Sequence, residues 1–176
     1  MSKSKNIVQG DIQSQGHVIV GDNNRISVVH PSEPTVNELF SNAKLYLSNN
    51  DFKNAQETLN KLILKTPNDA DPYFYLALSL IAGRRPKILG FKEAEEAVRN
   101  IDVAISKDSA KAHFYYLKAI ILYDFYCLNG FSVDIEEINE LLVIAANVVN
   151  DKSMIKEVMH FTPNIDKEIA NCIPWD

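Results

Sequence analysis

The side chains most able to do chemistry in this chain are four histidines, two cysteines, a few N-terminal glycines and one basic cluster. His17, His30, His113 and His160 would suit metal ligation or general-base work if paired, but none stands four residues from another and no cysteine pair accompanies them. No zinc or HExxH arrangement is spelled. Cys127 and Cys172 are too few and too far apart for a disulfide framework or a metal knuckle, and both read as reduced thiols, Cys127 as a buried and inert one. Gly10, Gly16 and Gly21 fall between short β-branched runs, outside any GxxxxGK[ST] or GxGxxG phosphate loop. The basic cluster is Arg84-Arg85-Pro86-Lys87 with Lys92 nearby. It could meet phosphate or an acidic partner, but without interleaved aromatics it reads first as a solvated loop. The acidic run Asp134, Glu136, Glu137 and Glu140 suits the start of a helix, where negative charge meets the positive end of the dipole. These residues predict no enzyme, no metal and no cofactor.

Composition narrows the classes further. The chain has 176 residues, 46% hydrophobic and 23% charged, with a formal charge of −5. That allows one ordinary core with appendages, and an acidic chain lacks the basic face that displaces counterions from nucleic acid. The acid is concentrated at one end, where residues 133–176 carry 3 basic and 9 acidic side chains. The lysines of the first residues have no apolar stretch behind them, and no run approaches the ~20 apolar residues of a membrane span. The expectation is a soluble, cytoplasmic protein.

Any such side chain must be positioned by the elements around it, and two grammars divide the chain. Residues 1–33 alternate β-branched runs with turn residues. Ile7-Val8 and Val18-Ile19-Val20 each lead to a Gly-Asp pair, and Ile26-Ser27-Val28-Val29 forms a further strand candidate. A ribbon this small is marginal alone, so Ile7, Val8, Ile12, Val18, Ile19, Val20, Ile26 and Val28 are expected to pack on another layer. Another copy of the chain is the favoured layer, and the helical body is the alternative. Pro31 and Pro34 form a hinge. Thr35 with Glu38 then spells a capping box, and helices are predicted near 35–49, 51–65, 70–83, 91–106, 110–128, 133–150 and 153–160.

Those helices repeat. Leu39, Ala43, Tyr46, Ala55, Leu59, Leu62 and Pro67 recur by type about 34 residues on, the period of stacked helical hairpins. Small residues at Ala43 and Ala55 permit close approach of paired helices. Tyr73, Ala77, Leu80, Ala97 and Ile101 continue the pattern around a longer loop, and Tyr115, Ala119, Leu122, Ile138, Leu142 and Ala145 do so more loosely. Residues 34–150 thus resemble a tetratricopeptide repeat domain of three degenerate repeats, and residues 151–176 read as a capping helix and tail. The fold class is mainly α, an α-α superhelix of helical hairpins preceded by a small β-ribbon.

The resemblance implies a concave partner-binding face built from the first helix of each repeat. Carried onto this chain, its central residues are Phe40, Lys44, Phe74, Leu78, Tyr116, Ile120 and Tyr123, flanked by His113 and Asp124. The three aromatic positions depart from the lysine and asparagine clamp used for peptide carboxylates. They suit an amphipathic helix or apolar peptide, unless the chain's own tail or arm fills the groove. Residues 6–29 also resemble the short β arms of bacterial proteins that work beside signalling ATPases and antiviral effectors. The function expected is a non-catalytic adaptor that self-associates through its strands and binds a protein partner. The alternatives are a nucleic-acid-binding regulator acting through the Arg84–Lys87 loop, or the regulatory subunit of an enzyme.

Overall fold

A computed structural model describes residues 17–20, 26–29, 33–149 and 151–175. Two units divide between Pro34 and Thr35. In the first, β1 (His17–Val20) and β2 (Ile26–Val29) run antiparallel, with His17 opposite Val29 and Val20 opposite Ile26. Ile7, Val8 and Ile12 lie outside the described residues.

The second unit is helical. Its elements are α1 (Val36–Ser48), α2 (Phe52–Lys65), α3 (Asp71–Ile81), α4 (Phe91–Lys107), α5 (Ala112–Ile121), α6 (Ile135–Asn147), α7 (Lys152–Phe161) and α8 (Lys167–Asn171). The Thr35 hydroxyl accepts from the Glu38 amide at 3.2 Å while Glu38 accepts from the Thr35 amide at 2.8 Å, closing the predicted capping box. Asp51, Asp134, Asp151 and Asp166 cap α2, α6, α7 and α8 with their carboxylates. Pro72 enters the first turn of α3, where its missing N–H costs nothing.

Each helix from α1 to α6 packs on the next in sequence. The alanines that permit close approach, Ala43, Ala55, Ala77, Ala97 and Ala119, are all fully buried, and Leu47, Leu59, Leu62, Phe74, Ile101, Phe114 and Ile120 fill the space between helices. The described part of this unit contains no helix long and apolar enough to cross a membrane.

Three local features depart from the predicted helices. The helix expected over 110–128 passes from α geometry into a π segment at Leu122–Cys127, so that the Leu128 amide reaches back to the Tyr123 carbonyl. The loop after α3 holds a short 3-10 turn at Pro86–Ile88. Within that loop Gly83 has φ +71°, and a Cβ there would lie 3.0 Å from the Phe52 ring. Both the left-handed backbone and the tight approach favour glycine at that turn. Lastly, α7 does not continue the stack. It packs on α5 and α3, with no comparable packing on α6, and α8 returns to α5.

Candidate functional site

The first helices α1, α3 and α5 carry a column of aromatic rings across the stack. Phe40 meets Tyr75 edge-on at 5.4 Å between centroids, Tyr75 meets Phe74 at 5.1 Å, and Phe74 stacks on Phe114 at 5.1 Å. Such pairings add about 0.5–1.5 kcal/mol each beyond burial.

The structure encloses most of the expected partner-binding residues. Phe74, Leu78, Tyr116 and Ile120 are fully buried, Phe40 and Tyr123 are half-buried, and only Lys44 is exposed, its ammonium lying 5.3 Å from the Tyr75 ring. Phe74 is enclosed by Tyr75, His113 and Phe114, and α7 lies on α3 and α5 with Ile155, Val158 and Phe161 in the same core. These four side chains are core residues of the helical unit. The open part is the α1 end, at Asn37, Phe40 and Lys44.

Polar contacts hold the tail in place. The Tyr75 hydroxyl donates to Glu157 at 3.1 Å, the Gly83 amide donates to the Phe161 carbonyl at 3.0 Å, and the Tyr123 hydroxyl donates to Glu168. This hydrogen bond, with burial and the charge of Glu168 behind it, pushes the Tyr123 phenol up to about 12. Desolvation and the nearby Glu157 carboxylate push the Tyr75 phenol upward as well.

The strongest polar constellation centres on Asp124, within the π segment and fully buried. Its carboxylate accepts from Arg85 Nε at 3.0 Å and Nη2 at 2.8 Å, from the Lys87 amide at 3.0 Å and from the Asp166 amide at 3.0 Å. Arg85 also lies 3.6 Å from the Asp166 carboxylate. One carboxylate thus ties the α3–α4 loop, the π segment and the α7–α8 connection, with its lone pairs taken up. Neighbouring Arg84 donates to Glu93 at 3.1 Å and to the Leu80 carbonyl at 2.9 Å. The basic cluster therefore does not stand as a free cationic loop, since both arginines are engaged internally. Sequence reasoning placed Asp124 on the groove without finding its role. The signal was present, as an acid on an otherwise apolar helix face needs a cation to be buried.

His113 sits between Phe74 and Phe114, edge-on to both at 4.8 and 4.7 Å, and neither ring nitrogen has a hydrogen-bond partner. Burial, with a smaller contribution from Lys111, holds its imidazole down at about 4. Protonation near 6.5 in the unfolded chain and near 4 in the folded one means that stability is full above pH 6.5 and declines as pH falls towards 4. The predicted loss reaches about 3 kcal/mol. Denaturation between pH 7 and 5, where carboxylates contribute little, checks it: the slope is expected in the wild type and absent in His113→Leu. Cys127 is half-buried, not buried as expected, and Cys172 is exposed. Among the described residues no group of His, Cys, Asp and Glu could hold a metal ion.

No protein-family model matches the chain, and neither does any characterised protein. The function must be argued from the geometry.

Proposed function

We propose that the protein is a non-catalytic adaptor, a tetratricopeptide-like superhelix that binds a protein partner on its helical unit and self-associates through its N-terminal strands. The observation that carries this reading is that α3 and α5, which bear most of the aromatic rings, pack an amphipathic helix, α7, with Tyr75 bonded to its Glu157. A surface that takes one apolar helical face is suited to another. The groups most able to do chemistry are consumed by the fold, Asp124 by Arg85 and backbone amides, His113 by its aromatic neighbours. A role in a bacterial signalling or defence assembly, inside the cytoplasm, follows from the resemblance of residues 6–29. The nucleic-acid reading is weakened by the engagement of Arg84 and Arg85, and the regulatory-subunit reading uses the same protein-binding surface.

Light scattering tests the self-association half. Removing residues 1–30 is expected to lower the particle mass, and an unchanged mass overturns the role of the strands. Affinity capture from the native cell tests the other half: a protein retained stoichiometrically by the full chain and by residues 35–176 supports it, and no retained protein overturns it.

A further inference from the structure

Because α7 turns away onto α5 and α3, α6 is left with one face packed and one open. Ile138, Leu141 and Ala145 are buried against α5 and the π segment, while Glu136, Asn139, Glu140, Val143 and Ile144 line a shallow groove of about 490 Å³ on the other side. Val143 is 61% exposed and Ile144 is 41% exposed, although they stand one helical turn from the carboxylates at the same stripe. Glu137, on the flank, pairs with Lys118 at 3.0 Å. Glu136 and Glu140 make no ion pair among the described residues. The stripe is therefore acidic in its first half and apolar in its second.

That polarity selects an occupant. A second copy of α6 laid parallel would bring like carboxylates together. Laid antiparallel, it would set Glu136 and Glu140 against the negative C-terminal end of the other helix and Asp151 beyond it, which is unfavourable by the same dipole that favours acid at a helix start. A helix with an apolar seam and lysine or arginine at one end fits both halves. We infer that the open face of α6 is a docking site for a basic amphipathic helix of a partner protein, its apolar residues on Val143 and Ile144 and its cations on Glu136 and Glu140. This deepens the adaptor reading by naming the partner's chemistry, and its failure is read on a different measurement from the mass and capture experiments above.

The test uses the full chain and two labelled synthetic helices about four turns long, one of leucine and lysine, the other with glutamate in place of lysine, titrated by fluorescence anisotropy. The leucine–lysine helix is expected to bind and the leucine–glutamate helix is not. Val143→Glu and Ile144→Glu should each weaken binding at least about tenfold, even though they add negative charge. Glu136→Lys with Glu140→Lys should reverse the preference between the two helices. Three outcomes overturn the inference: no binding, equal or tighter binding by Val143→Glu, which marks general charge attraction, or a dimer of the chain that Val143→Glu dissolves, which gives the face to a second copy.

Discussion

Arg85→Ala is expected to cost about 3–5 kcal/mol of stability, because it strips the cation from a fully buried carboxylate. For a unit of this size that lowers the melting temperature by on the order of 10 °C. Arg85 itself is partly open to solvent, with a third of its side chain exposed, so most of the loss comes from leaving Asp124 charged, enclosed and short of two donors. Asp124→Ala would free the arginine to water but strand the Lys87 and Asp166 amides. The double variant should cost much less than the sum of the two, since each single loss already breaks the same pair. Chemical denaturation of all four proteins gives the coupling. Hydrogen exchange adds a local reading, in which the Asp166 amide and α8 lose protection in Arg85→Ala before α1 and α2 do. A loss under about 1 kcal/mol would class the pair with ordinary surface bridges.

Phe74→Ala is expected to cost a similar amount, about 3–5 kcal/mol, for a different reason. Its ring touches Tyr75, His113 and Phe114 and has no solvent exposure. Removing it opens a cavity where α3, α5 and α7 share one core, and the surrounding rings are too constrained to collapse into it. Phe40→Ala is the control. It belongs to the same column but is half-buried at the α1 end, and its loss should be about half as large or less. Equal losses at the two positions would mean that the full enclosure of Phe74 by Tyr75, His113 and Phe114 adds nothing. Charged substitutions at Phe74 or Tyr116 are expected to unfold the unit, so they cannot serve as probes of a binding surface.

How far the sequence was legible depended on whether a residue's environment is set locally. Thr35 and Glu38, the buried alanines and the buried leucines of α1 to α3 obey rules of capping and helical period that act within one hairpin, and the structure follows them. The groove positions Phe40, Phe74 and Tyr116 came from the tetratricopeptide resemblance. The full burial of Phe74 and Tyr116 was not legible, because it depends on how α3 and α5 pack against the rest of the unit, which no rule within one hairpin decides. The Arg84–Lys87 cluster misled for the same reason, since Asp124 stands 39 residues from Arg85 and nothing local joins them. The π segment and α8 were missed because neither alters the apolar pattern strongly enough to be seen.

The seat of α7 also bears on how such a chain could change length. Helical arrays grow by duplication when a new hairpin can be laid on the exposed end of the old one. Here a hairpin spliced in after Asn147 could rest on α6 without disturbing α7, but the new connection would have to carry the chain back across the array to reach α5 and α3. Lengthening at that point stretches the return path of the tail with every added unit, while insertion ahead of α3 leaves it untouched. With α7 seated on α5 and α3, an added hairpin is accommodated more easily ahead of α3 than after α6.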